Sequence, residues 1–198
     1  MKLREILTGL LLSVSASTAM AAGPYISASG GVSIIHDQDL KRSSGATDTA
    51  ELKAGYGINA SAGYNFDPIR VEFEFGYKKS DVNKFTSAGI TSPSNGSNIT
   101  IMSYMVDAYY DLKNSSKFTP FVGVGLGALN GEFKDPGFKS DDTTFGYQFF
   151  VGAAYNVTQN VALDLSYRFQ GAASDFEIPG TKISYMSSNI MAGLRYNF

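Results

Sequence analysis

The chain has 198 residues, 43% hydrophobic and 17% charged, which is enough for one domain and fits neither a disordered segment nor a helical membrane protein. A formal net charge of -2 gives no footprint for a nucleic-acid partner. With no Cys and one His, thiol chemistry and cysteine metal sites are excluded and histidine-rich sites nearly so, while Gly (21) and aromatics (13%) are abundant.

The first segment reads as an export signal over residues 1–21. Lys2 and Arg4 precede an apolar run from Ile6 to Val14, and Ala19-Met20-Ala21 supplies the small-x-small pattern cut by a signal peptidase. That run is far shorter than the roughly 20 apolar residues of a membrane-spanning helix, and nothing after it approaches such a length. Membrane residence of the mature domain, 22–198, therefore has to come from strands.

From Tyr25 to Ile34, Ile26, Ala28, Val32 and Ile34 alternate with Ser27, Ser29, Gly31 and Ser33, the period of a strand with one apolar face. The polar stretch His36 to Lys53 reads as a long loop. A second strand, Ala54 to Asn65, ends at Phe66-Asp67-Pro68, a turn whose proline cannot sit inside a sheet. The third strand is the clearest: Ile69, Val71, Phe73, Phe75 and Tyr77 share one face, and Arg70, Glu72, Glu74, Gly76 and Lys78 the other.

Lys79 to Asn98 reads as a second long loop, followed by a strand from Thr100 to Leu112 and a short turn at residues 113–117. In the fifth strand, Phe118 to Leu129, Gly123, Gly125 and Gly127 recur at period two. A dinucleotide fingerprint needs its glycines at a strand-to-helix turn, so these instead thin one wall of a sheet. The charged stretch Asn130 to Thr143 reads as a third loop. Phe145 to Tyr155 and Val161 to Gln170 follow as strands around a turn at residues 157–160. A fourth loop, Gly171 to Lys182, precedes the last strand, where Ile190, Ala192, Leu194 and Tyr196 alternate with Asn189, Met191, Gly193, Arg195 and Asn197 before the terminal Phe198.

Eight strands, four long loops and three short turns result. Tyr64-Asn65-Phe66, Tyr110-Asp111-Leu112, Tyr155-Asn156-Val157 and Tyr196-Asn197-Phe198 recur at the close of alternate strands and place an outward tyrosine at one boundary. Tyr77, Phe145, Tyr147, Tyr167 and Phe169 belt the other. Two aromatic belts around an apolar band predict an all-β, eight-stranded, antiparallel transmembrane β-barrel. A soluble ligand-binding barrel has the same periodicity with its apolar face turned inward. Charges and glycines on one face, with tyrosines at both ends of the other, favour lipid outside.

The segments Val106-Asp107-Ala108-Tyr109-Tyr110-Asp111-Leu112, Phe118-Thr119-Pro120-Phe121-Val122-Gly123-Val124-Gly125-Leu126-Gly127, Gly146-Tyr147-Gln148, Tyr155-Asn156-Val157-Thr158 and Ala192-Gly193-Leu194-Arg195-Tyr196-Asn197-Phe198 resemble the opacity-protein and surface-antigen group of small outer-membrane barrels. These are similar in architecture to the membrane domain of outer membrane protein A. The resemblance implies surface display in the outer membrane of a Gram-negative bacterium and a barrel-assembly machinery that reads the terminal strand through Phe198, Tyr196 and Leu194. Lipid and lipopolysaccharide are expected around the band, and, with Phe198 ending the last strand, no trailing cell-wall-binding domain is expected.

On this register Arg70, Glu72, Glu74, Lys78, Asp107, Asp164, Arg168 and Arg195 point into the barrel, where their mixed signs allow carboxylates and cations to pair as a structural plug. No catalytic, cofactor or metal site is expected. The one histidine, His36, reads as a solvated loop residue, and Asp141-Asp142 and Asp37-x-Asp39 lack a calcium-loop pattern. Two function classes fit: a surface or adhesion-type protein whose four loops contact a host or cell-surface ligand, and a small porin passing ions or small solutes.

Overall fold

The computed structural model describes residues 22–36, 38–42, 47–87, 90–94, 96–112, 114–178 and 181–198. Residues 1–21, expected from the sequence to be an export signal, and Asp37 lie outside them. Thirteen strands form among the described residues: β1 Gly23–Ile35, β2 Gln38–Arg42, β3 Thr47–Leu52, β4 Gly55–Asn65, β5 Ile69–Ser87, β6 Ile90–Pro93, β7 Asn98–Asp111, β8 Phe118–Asp135, β9 Phe138–Asn156, β10 Val161–Ala172, β11 Phe176–Ile178, β12 Thr181–Ile183 and β13 Met186–Asn197.

Eight of these close a ring in the order β1-β4-β5-β7-β8-β9-β10-β13 and back to β1, every pair antiparallel. Closure runs from Tyr25 opposite Asn197 to Ile35 opposite Ser187. The chain end is bonded on both sides: Phe198 N donates to Pro24 O at 3.0 Å and Asn197 N to Asn160 O at 2.8 Å. A ring has no edge strand, so its backbone polar groups are satisfied where water is absent.

The alternation sorts the side chains by face. Leu165 is 60% exposed and Ile190 59%, and the outward row around the ring is aliphatic or aromatic, an apolar area that a water-facing surface does not carry. Inward, Tyr109, Asp107 and Met105 of β7 stand opposite Gly123, Gly125 and Gly127 of β8. A Cβ on Gly125 would collide with the Asp107 carboxylate, and one on Gly123 would lie 2.7 Å from the Tyr109 ring. The glycine row is the space into which the β7 side chains fit.

The four long loops are more ordered than their polar sequences suggest, and this corrects the sequence reading. β2, β3, β11 and β12 continue β1, β4, β10 and β13 past short breaks, and their order β11-β12-β2-β3-β5 repeats the order β10-β13-β1-β4-β5 below them. Asn130 to Thr143 is no loop either: β8 and β9 pair without interruption to Asp135 opposite Phe138, closed at Pro136-Gly137, where Gly137 adopts φ +86. Strand pairing persists because the ladder needs backbone partners and not apolar side chains. Above the membrane the outward face is free to turn polar.

Candidate functional site

The lumen is built in levels from the short-turn end upward. At the bottom Arg70 binds Asp111 in a fork, Nε to Oδ2 at 2.8 Å and Nη2 to Oδ1 at 3.0 Å. Its guanidinium lies 4.5 Å from the Tyr109 ring centre and 5.2 Å from that of Phe121. Above it, Glu72 accepts from Tyr25 Oη at 2.7 Å and Tyr109 Oη at 2.9 Å, and Arg195 reaches Asp164 at 3.4 Å. A cavity of ≈ 20 Å³ beside Glu72, Asp164 and Arg168 has room for about one water molecule.

The middle level is a relay. Arg168 pairs with Glu74 and lies 4.7 Å from the Phe150 ring centre. Gln148 donates to Asp107 at 2.8 Å and to Glu74 at 3.3 Å, and accepts from Gln170 at 3.0 Å. Gln170 Oε1 in turn accepts from Lys78 at 2.7 Å and Tyr185 at 3.0 Å. All eight charged residues singled out from the sequence thus stand inside the ring, but they do not all pair with one another. Tyrosine hydroxyls hold Glu72, Gln148 holds Asp107, and Gln170 caps Lys78. Asp111, which also faces inward, completes the set.

Glu72, Glu74 and Asp107 bring carboxylate oxygens within 4.8 Å of one another, close enough to share a cation. The donors around them argue for a different use. Two tyrosines, the Gln148 amide and the Arg168 guanidinium point at these oxygens, leaving Asp107 Oδ2 without a hydrogen-bond partner. The cluster is held by protein hydrogen bonds.

Above the relay the lumen turns apolar. Ile35, Val82, Ile99, Ile101, Met105, Leu129, Phe133, Phe176, Ile183 and Tyr185 form one buried cluster. Phe176 packs edge-on against Phe133, with ring centres 5.9 Å apart, bringing the β11 segment over the mouth. A backbone tie reinforces it: Glu177 N donates to Asp142 Oδ2 at 2.6 Å. Farther out, Lys134 and Lys139 clamp Glu132 at 2.6 and 2.7 Å on the β8–β9 hairpin, holding its carboxyl below the usual carboxylate range.

His36 is exposed, just past the end of β1. It closes β1 at the outer rim, its backbone N donating to Met186 O at 3.0 Å, and its Nε2 is 3.0 Å from Ser188 Oγ. The energetic weight of the lumen is open to test through Arg168, whose loss strands Glu74. Arg168→Met is expected to lower unfolding stability by about 3–5 kcal/mol. The double change Arg168→Met, Glu74→Gln should cost less than Arg168→Met alone. Urea titrations in lipid vesicles, read by the gel shift between folded and unfolded barrel, check both.

The chain matches the model of the outer membrane protein beta-barrel domain over residues 6–198. It is 26% identical to outer membrane protein PagN of Salmonella typhimurium, covering 82% of this chain and 80% of that one. It is 29% identical to RC1281 of Rickettsia conorii, named as a candidate adhesin, over 75% and 67%. The solved structure of Neisserial surface protein A superposes with a TM-score of 0.62 at 23% identity, covering 90% of this chain and 100% of that one, a likeness of fold. With the short turns on the periplasmic side and the collar formed by β2, β3, β11 and β12 outside, the protein belongs to the outer membrane protein β-barrel family of Gram-negative bacteria.

Proposed function

We propose that the protein is a surface-display barrel of the adhesion type: a plugged anchor that holds its collar and the β8–β9 hairpin outside the cell to bind a host or cell-surface ligand. The apolar cluster above the ion network carries this reading. It fills the lumen from Met105 to Phe176, so a hydrated ion moving upward past Glu74 and Lys78 meets a dry plug. The collar is then the surface left for a partner. Its strands are tied by backbone ladders, so a ligand would meet a preformed face and less ordering entropy would be lost on binding. The naming of RC1281 as a candidate adhesin supports the same reading.

Outer-leaflet lipid and lipopolysaccharide would surround the apolar band, and the barrel-assembly machinery would read Leu194, Tyr196 and Phe198 on the closing strand. Deleting Phe198 is expected to cut the amount of folded protein in the outer membrane severalfold while leaving ligand binding of the refolded fraction unchanged; normal assembly of the deletion contradicts that role. The display reading is tested in a non-adherent host strain. Wild type should raise attachment to cultured animal cells severalfold, and replacing Lys134–Lys139 by a tight turn should abolish the gain, with both proteins silent in planar bilayers. Steady single-channel conductance with no gain in attachment would favour the small porin instead.

A further inference from the structure

On the lipid-facing side of the outer rim a serine and a histidine are hydrogen-bonded. Ser188 lies on β13 between Ile34 of β1 and Phe169 of β10, within the outward row. His36 Nε2 stands 3.0 Å from Ser188 Oγ, and Tyr167 Oη stands 2.9 Å from the same atom. The Phe169 ring, 6.5 Å from the His36 ring between centres, flanks the imidazole. Ser188 is eight residues along β13 from the periplasmic-belt residue Tyr196. That is about 26 Å of strand, or roughly 20 Å of depth at a tilt of about 40°. The trio therefore sits near the outer edge of the apolar band, the depth at which the ester carbonyls of outer-leaflet lipids lie.

Hydrogen-bonding groups on a lipid-facing surface are costly unless satisfied, and these satisfy one another. Their arrangement is also that of a nucleophile, its base and a donor, on a surface that a lipid reaches by lateral diffusion. We propose that Ser188, with His36 as base, is an acyl-accepting nucleophile that hydrolyses a carboxylic ester of an outer-leaflet lipid. Ser188 Oγ bonds to the ester carbonyl carbon as its proton passes to His36 Nε2. The Tyr167 hydroxyl donates to the carbonyl oxygen as that oxygen gains charge. The bond from carbon to the alcohol oxygen then breaks, and the lipid alcohol leaves with the proton from His36. Water attacks acyl-Ser188 and gives one proton to His36, which returns it to Ser188 Oγ as the fatty acid departs. The ester is carried by two lipid classes, the acylated glucosamine lipid of the outer leaflet and glycerophospholipid.

This activity is independent of surface binding, so either can fail alone. The test incorporates full-length protein into vesicles of phosphatidylethanolamine, with or without purified lipid A, and measures released fatty acid by mass spectrometry. Wild type should release fatty acid from at least one vesicle type, and the type identifies the lipid class. Ser188→Ala and His36→Gln should lower the rate at least about 100-fold while keeping the gel shift of a folded barrel. A fluorophosphonate should modify wild type at Ser188, a readout that needs no variant. No release from either vesicle, or equal release from Ser188→Ala, overturns the proposal.

Discussion

The constraint from which the rest follows is that hydrocarbon offers no hydrogen-bond partner to a backbone. β1 must therefore find β13, and the eight strands must close. Closure at this strand number leaves an interior only side chains wide. That interior has to be filled, and the glycine row of β8 and the charged row of β5 are the two halves of the filling. Removing side chains from β8 lets Tyr109, Asp107 and Met105 of the neighbouring β7 lie against that wall. Glu72 on β5 then accepts from the Tyr109 hydroxyl, and Gln148 on β9 donates to the Asp107 carboxylate.

The filling changes character with height, and so does its consequence. Below, buried charges are held by specific donors, an arrangement that fixes geometry more than it adds stability, since the attraction is offset by desolvation. Above, packing of Ile101, Leu129 and Phe176 is ordinary core formation outside the membrane, and it anchors the collar. The collar is thus a continuation of the barrel with its own small core. Loop segments far apart in sequence, such as Leu40 and Ile183, pair because the strands beneath them already do.

The membrane strands were legible because lipid outside and side chains inside impose period two on every one of them. Their extensions were not, because above the bilayer the outward half of the signal vanishes: Asn130, Glu132 and Lys134 replace the apolar residues. The inward half persists in Leu129, Gly131 and Phe133, whose unbroken parity was the available clue. Asp111 shares its face with Asp107 and Tyr109 and was hidden by its place in a turn motif. The roles of Gln148 and Gln170 were not readable, since a glutamine facing the lumen shows no charge to be balanced. The contact between His36 and Ser188 joins residues at opposite ends of the chain and depends on barrel closure, which no local pattern encodes.

The central claim is that two apolar sets exist, one bathed in lipid and one sealed above the ion network. Methyl-labelled protein in bilayers tests it without substitutions. Magnetisation transferred from lipid acyl protons in solid-state nuclear magnetic resonance should reach Val124, Leu165 and Ile190. Transfer from lipid or from water should leave Ile101, Met105 and Leu129 dark. Lipid contact at the second set, or water contact there equal to that of the loops, would contradict the plugged barrel.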